Sequence, residues 1–282
     1  MLTLAILSYN HPVITARCVS AALKFISAEN VALLHNGTSP KHIETLKIQF
    51  PQIRHWSLEK NSGYSGGVNE IFRQGFKTSE WIFLLTNDTE ITHWDLNTNN
   101  LQPGLYSPKV WLRKPGRIDY CGGLFDSRWA WIRHLEKPLS QEALSQGQYL
   151  YVPGTAFLLS QEVYKKLGGM DESLHTYWED VDFGARATKQ KIIIGFIPQI
   201  QLIHQGRKTT GKDSFYTGFL FQRNRFLISW RHCPWFLKWM HLLHVGKRLH
   251  FKWKFLFSDL KGRAETKSRS DIARSDHSRR SH

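Results

Sequence analysis

Short apolar runs alternate with amphipathic stretches through the first third of the chain. Residues 2–7 are apolar and stop at Ser-Tyr-Asn-His-Pro, which predicts a strand and then a turn. Helical spacing follows over 13–27. A second apolar run at 31–34 closes on His-Asn-Gly-Thr-Ser-Pro, and a second helix is expected over 41–50. Residues 53–58 read as a strand, 61–69 as a glycine-rich stretch opening a helix to about 76, and 81–85 as a further apolar strand. Strand and helix in this alternation predict βαβ units and an α/β fold on a mainly parallel, Rossmann-like sheet. Ligands of such sheets bind outside the carboxyl ends of the strands, so the polar residues after each apolar run carry the candidate chemistry.

The second half is less regular. Residues 104–160 are strand-like, 162–167 and 181–189 helical, and 192–197 and 201–203 read as closing strands. From 215 to 257 the chain turns helical, aromatic and basic. Residues 261–282 are rich in Ser and Arg and are expected to form a disordered tail.

Composition narrows the class. Of 282 residues, 41% are hydrophobic and 22% charged, which suits a packed core and excludes global disorder. Eleven Trp point to an interfacial or sugar-stacking surface. Three Cys without CxxC spacing exclude a disulfide framework and a cysteine zinc site, and fit a reducing, cytoplasmic compartment. No apolar run reaches the roughly 18 residues of a membrane span. The opening MLTLAILSYN has no basic n-region and reads as a strand rather than a signal peptide. The net charge of +15 is unevenly spread: residues 205–282 hold 18 Lys/Arg against 5 Asp/Glu, while the rest is nearly neutral. A basic, Trp-rich end suits an anionic membrane surface or nucleic acid.

Four motifs carry chemistry. In Leu84-Leu85-Thr86-Asn87-Asp88-Thr89, an acidic residue follows a buried strand. It suits a divalent cation that shares its shell with phosphates, or equally a turn or helix cap. In Asn61-Ser62-Gly63-Tyr64-Ser65-Gly66-Gly67-Val68-Asn69, glycines at a helix start can aim amides at a ligand, or simply form a loop. The run Tyr177-Trp178-Glu179-Asp180-Val181-Asp182 puts three carboxylates within four residues. A cation or a proton-transfer role would compensate their repulsion, and so would the dipole of an acidic first helical turn. His204 ends a short apolar run, as a metal ligand or as a structural residue.

In order along the chain, these motifs resemble the bacterial family 2 glycosyltransferases, in the rhamnosyltransferase-like branch that builds surface polysaccharides such as lipopolysaccharide. Ser-Tyr-Asn, His-Asn-Gly-Thr, Pro153-Gly154-Thr155-Ala156 and Gly168-Gly169-Met170-Asp171-Glu172 join the four above. The resemblance covers residues 1–205. It implies a GT-A catalytic domain, a dTDP- or UDP-sugar donor, Mg²⁺ or Mn²⁺, inversion at the anomeric carbon, and a lipid-linked or oligosaccharide acceptor.

By the same resemblance Asp180 is the catalytic base, and Asp88 and His204 are metal ligands. Asn10, His35, Asn61, Gly63, Gly66, Gly67, Asn69 and Asn87 line the nucleotide sugar; Trp178, Gly154, Glu179 and Asp182 line the acceptor, with Trp178 stacking on its ring. Thr86 stands where the metal motif often has a second acidic or Asn residue. His35 stands where an Asp contacts the base, and a neutral imidazole nitrogen can accept the same N3–H bond.

Beyond 205, residues 206–260 are expected to form a membrane-associating helical appendage. On a helical wheel Trp235, Trp239, Leu242, Leu243, Leu249, Trp253 and Leu256 share one face, and Lys238, His241, His244, Arg248, Lys252 and Lys254 gather mostly opposite. Such a helix docks peripherally on the inner face of the cell membrane, or packs on the catalytic domain. Gln222-x-x-Arg225-Phe226 is partly similar to the QxxRW of processive synthases. Two other readings compete. A nucleic-acid-binding protein would use the basic end but leave the acidic cluster without a role. A nucleotidyltransferase would need a basic glycine-rich loop where Ser8-Tyr9-Asn10-His11-Pro12 stands. No nucleic-acid partner is expected.

Overall fold

The computed structural model describes residues 1–113, 116–205 and 215–239. The first half alternates as expected: β1 (Leu2–Ser8), α1 (Pro12–Ala22), β2 (Val31–Asn36), α2 (Pro40–Gln49), β3 (Arg54–Leu58), α3 (Gly63–Gly75) and β4 (Trp81–Thr86). Proline in the first turn of α1 and of α2 presets the helical φ where the missing N–H costs nothing. Then come β5 (Thr89–Trp94), β6 (Gly104–Leu112), β7 (Ile118–Tyr120), β8 (Gly123–Asp126), β9 (Trp131–His134), β10 (Gln148–Tyr151), β11 (Ala156–Ser160), α4 (Gln161–Leu167), α5 (Glu179–Lys189), β12 (Ile193–His204) and α6 (Phe215–His232).

The main sheet runs β3-β2-β1-β4-β11-β6-β12-β5, with β7 on β6. The four strands β3, β2, β1 and β4 are mutually parallel, β11 is antiparallel to both its neighbours, and β12 is parallel to β6 but antiparallel to β5. β1, β2 and β4 are apolar on both faces because helices cover both. Leu4, Ile6, Leu33 and Phe83 pack with Val19 and Leu46 of α1 and α2, while Leu7, Leu34, Ile82 and Leu84 pack with Phe72 of α3 and Phe183 of α5. A small antiparallel sheet, β10-β8-β9, stands apart.

Three sequence expectations change. Residues 192–203, expected as two strands, belong to the single strand β12, whose register slips against β6 between Ile197 and Gln201. β5 was not anticipated, because Thr-Glu-Ile-Thr-His-Trp alternates too weakly to stand out from a loop. The division after 205 also moves: Met1–Cys233 is one compact unit and Pro234–His282 another, so α6 belongs to the first. In the second unit Trp235–Leu237 forms a short 3₁₀ turn, and Trp235 and Trp239 are 81% and 76% exposed. The remainder of the expected amphipathic helix and the tail lie outside the described residues.

Candidate active site

Strand pairing brings Asp88 and His204 together. Thr89 of β5 is opposite His204 of β12, so the residue preceding β5 meets the end of β12. Asp88 Oδ2 lies 3.3 Å from His204 Nε2, and the Gln205 amide donates to the Asp88 carbonyl at 2.9 Å. β6 lies beside β12 and carries β7, which brings in Asp119: its Oδ2 is 3.0 Å from His204 Nδ1. His134 Nδ1 stands 3.7 Å from the other Asp119 oxygen. Burial opposes charge on His204, but hydrogen bonds to Asp119 and Asp88 outweigh it and raise the imidazole to about 9. Thr86, in place of a second acidic residue, donates from Oγ1 to Asp88 Oδ1 at 2.7 Å and so orients that carboxylate.

Asp180 sits on the other side of the same strand ends. Its Oδ2 accepts the Gly154 amide and its Oδ1 the Val181 amide, each at 2.8 Å. The next residue along, Thr155, gives its carbonyl to the Thr86 amide at 2.9 Å. The strand-entry segment Gly154-Thr155 thus touches the Asp88 loop with one residue and Asp180 with the other. Tyr64 of α3 donates its hydroxyl to the Gly154 carbonyl. Burial raises the Asp180 carboxyl, and the two amide bonds oppose the shift. Glu179 is pushed up further, by burial and then by the Asp180 charge, and its Oε2 has no partner. Of the adjacent pair, Asp180 therefore ionises first.

Several expected ligand residues are spent on the fold. Trp178 is 3% exposed and packs edge-on against Phe125 and Phe221, so it offers no stacking face to an acceptor. The tryptophans left open on the small sheet and its turn are Trp129 and Trp131, 57% and 47% exposed. Glu179 is buried rather than presented to an acceptor. Asp182 is fully buried: Arg186 Nε donates to it at 2.8 Å, Arg231 at 2.9 Å and His232 Nε2 at 3.0 Å. Burial pushes Asp182 up, but the His232 bond and the Arg186 and Arg231 charges prevail and hold it at about 2.

On the donor side, Asn69 uses both ends of its amide on Met170 and reaches Glu172, and Asn87 donates to Thr15 at 2.9 Å. The Asn69 amide is held at both ends, whereas the Asn87 bond uses only its Nδ2. The glycines of α3 pack closely against their neighbours. Gly63 has φ +74°, a Cβ at Gly67 would fall 2.6 Å from Leu7, and a Cβ at Gly66 would strike Ser62. The Ser65 amide of the first turn is already taken by the His175 carbonyl at 3.2 Å.

Asn61 and Asn10 hold their loops. Asn61 Oδ1 accepts from the Gly63 amide, and Asn10 accepts weakly from Ser39 N while its own amide donates to Thr38. Asn36, which sequence reasoning passed over, joins Asn61, Ser62 and Gly63.

His35 stacks on His55 with ring planes 5° apart. His55 Nε2 must donate to the Phe50 carbonyl, so its Nδ1 accepts, and His35 Nε2 is the donor of their 3.0 Å bond. His35 Nδ1 is left as a buried acceptor without a partner. Burial and the neighbouring His55 keep the ring neutral by lowering it to about 4.

Among the described residues no group of three or more His, Cys, Asp or Glu converges as a metal site. Asp88 and His204 nevertheless form a fitting pair of donors. Asp119 on Nδ1 orients the imidazole as outer-shell carboxylates do, and turns Nε2 toward the Asp88 oxygen. A carboxylate oxygen and an imidazole nitrogen suit Mn²⁺, with substrate oxygens completing the shell. Asp119 was not legible in the sequence because nothing marks Ile118–Tyr120 as a strand.

Comparison with known proteins bears on the same residues. The model described as "Glycosyl transferase family group 2" matches residues 125–262. The low-salt glycan biosynthesis hexosyltransferase Agl10 of Haloferax volcanii is 29% identical over 182 residues, 60% of this chain and 57% of the relative. An N-acetylglucosaminyl-diphospho-decaprenol L-rhamnosyltransferase of Mycobacterium tuberculosis is 26% identical over 104 residues, 36% of this chain and 34% of the relative. The chain thus spans 57% and 34% of the length of these two curated relatives. Among solved structures, GalNAc-T7 with UDP, GalNAc and Mn²⁺ aligns with TM-score 0.59 at 14% identity, covering 81% of this chain and 47% of that one. S. aureus TarS aligns with TM-score 0.51 at 13% identity, covering 80% and 38%. The fold is GT-A, and over residues 125–262 the sequence is similar to the family 2 glycosyltransferases.

Proposed function

We propose that this chain is an inverting, metal-dependent glycosyltransferase that moves one sugar from a nucleotide-sugar donor to a glycan or lipid-linked acceptor in bacterial surface-polysaccharide synthesis, with rhamnose the sugar suggested by resemblance. The observation that carries the reading is the Gly154-Thr155 segment, which ties the Asp88 loop to Asp180. That link supports reading Asp88 and Asp180 as parts of one site.

In this reading Asp88 and His204 would hold Mn²⁺ or Mg²⁺, which would supply charge neutralisation for the leaving diphosphate. Asp180 takes the proton of the acceptor hydroxyl as that oxygen bonds to the anomeric carbon and the bond to the diphosphate breaks. Its raised affinity for a proton suits a base working near neutrality. The relatives' names supply context: one acts on a decaprenol-linked sugar, and one solved neighbour holds UDP and Mn²⁺.

Residues 205–282, with 18 Lys/Arg against 5 Asp/Glu, would hold the protein to the anionic inner face of the cell membrane. No helix among the described residues is long and apolar enough to cross a bilayer.

A panel of UDP-, dTDP- and GDP-sugars with Mn²⁺ tests the reading, first by thermal shift and then by turnover on a lipid-diphosphate-linked sugar. A donor that raises the melting temperature only with metal, and is then transferred, is the expected result. No stabilisation by any donor would overturn the reading.

A further inference from the structure

The segment just before Asp180 is held in an unusual conformation. His175, Tyr177 and Trp178 have φ of 61°, 71° and 73°. Left-handed backbone is disfavoured for bulky side chains, and it persists only where surroundings over-determine it. Here the surroundings are one face of α6. Asn224 is fully buried, and its Nδ2 shares its two hydrogens among the carbonyls of Leu174, Thr176 and Tyr177, which lie at 2.8, 2.9 and 2.9 Å. Three converging carbonyls admit only the amide nitrogen, which fixes the orientation of the side chain. One turn earlier, Phe221 packs against both Tyr177 and Trp178, with ring centroids 5.9 and 5.8 Å apart. Two turns later, Arg231 and His232 bind Asp182. α6 therefore grips the chain immediately before and immediately after Asp180.

We propose that Asn224 is a positioning residue for sugar transfer: it locks the left-handed turn over 174–178, and so seats Asp180 on the Gly154 and Val181 amides. The inference rests on the reading of Asp180 as the base. It gives α6, which carries the Gln222-x-x-Arg225-Phe226 stretch around Asn224, a task in the chemistry. Asn224 itself touches no reacting group.

The test compares Asn224→Ala with the full-length wild type, using the nucleotide sugar that turns over in the panel. Binding of UDP with Mn²⁺ should stay within about twofold, and KM for the donor within about threefold. kcat should fall about 10- to 100-fold, as misplacement of a catalytic group by an ångström would cause. The acid limb of kcat/KM should move to higher pH, because a loosened turn weakens the amide bonds that favour the Asp180 carboxylate. The other titratable groups acting there are Glu179, Tyr64, Tyr120, Tyr151 and His134, and the substitution leaves all five in place.

Tyr177→Gly added to Asn224→Ala should restore kcat at least threefold, since glycine adopts the left-handed backbone without a brace. If Asn224→Ala does not fold, Asn224→Ser carries the same readouts. A folded variant with unchanged kcat and unchanged acid limb overturns the inference. So does an equal loss of UDP binding and kcat that Tyr177→Gly does not relieve, which would make α6 a general scaffold. Asp180→Asn is run in parallel. If it keeps more than about a tenth of kcat, the base assignment fails and this inference with it. If it is inactive while Asn224→Ala is normal, only the brace is rejected.

Discussion

Around β1, β2 and β3 the loops at the strand ends are tied by neutral groups. Asn36, Asn61, Ser62, Thr15 and Asn87 exchange short bonds among amides and hydroxyls. Around α5 the ties involve a buried charge: Asp182 gathers Arg186, Arg231 and a His232 that burial holds toward its neutral form, and Asp180 stands beside Glu179. The difference follows what each side must do. A donor loop has to shape a cavity, and neutral bonds do that at modest cost. A base needs a controlled charge, and controlling it takes other charges and burial. The two sides should therefore fail differently when cut.

The largest effect expected is chemical. Asp180→Asn keeps the shape of the site and removes its base, so transfer should fall about 10²–10⁴-fold with donor-induced stabilisation retained. Neither Asn36→Ala nor Asn61→Ala should spare binding in this way if their loops form the proposed donor side. Single-turnover rates set beside thermal shifts with UDP and Mn²⁺ separate the two patterns. Loss of donor binding in Asp180→Asn would erase the distinction between the sides.

This asymmetry also explains what the sequence made legible. β1–β4 and their helices are contiguous patterns, and the expected βαβ order holds to within a few residues. Asp88, Asp180 and His204 stood out because each sits at the end of an element. Asp119 and Asn224 did not, because their roles depend on partners 85 residues away at His204 and 47–50 residues away at Leu174–Tyr177. Trp178 misled for the same reason. An aromatic beside two carboxylates resembles a sugar platform until Phe221 and Phe125 are seen to enclose it. Asn69 and Asn87 read as ligands in the sequence because their partners, Met170 and Glu172 for Asn69 and Thr15 for Asn87, lie far off along the chain.

The next effect is on stability. Asp182→Ala strands Arg186 and a buried His232, and should cost about 3–5 kcal/mol. Asn36→Ala leaves unpaired neutral groups and should cost about 1–3 kcal/mol. Acid sharpens the contrast. Asp182 is held near 2 in the fold against an ordinary 3.8, so its stabilisation is present above about pH 4 and is lost as pH falls toward about 2. That amounts to about 2 kcal/mol. Denaturant unfolding between pH 2 and 6 should show this loss in the wild type and in Asn36→Ala, but not in Asp182→Ala. Parallel curves for all three would refute the buried-charge account.

A smaller effect is expected at the cation pair. Asp119→Asn keeps a hydrogen-bond acceptor for His204 but removes the charge behind it, and outer-shell changes of this type cost about 10- to 100-fold in metal affinity. Titration of Mn²⁺ in the presence of UDP should show that weakening without any change in melting of the metal-free protein larger than about 2 °C. Unaltered Mn²⁺ affinity would detach Asp119, and with it the orientation of His204, from cation binding.

The smallest effect concerns Glu179, and its sign matters more than its size. Burial, and then the Asp180 charge, hold the Glu179 proton far above the usual carboxylate range. The folded state keeps this proton where the unfolded chain has released it. Stability is therefore lost as pH rises above the unfolded value near 4.5, and the loss accumulates up to the folded value. Asp182 does the reverse, gaining stability as pH rises from about 2 to about 4. Glu179→Gln imitates the protonated acid and cannot ionise. Whatever its constant cost, the variant's melting temperature should gain on the wild type between pH 4 and pH 8 and never lose ground. Activity at pH 7 should change by less than about threefold, since burial favours the protonated form that Gln imitates and Asp180 keeps both its amide bonds. A wild type that gains on the variant as pH rises would mean that Glu179 is ionised in the fold. Asp180 would then share its site with a second charge, and the assignment of base and neutral neighbour within the pair would have to be reversed.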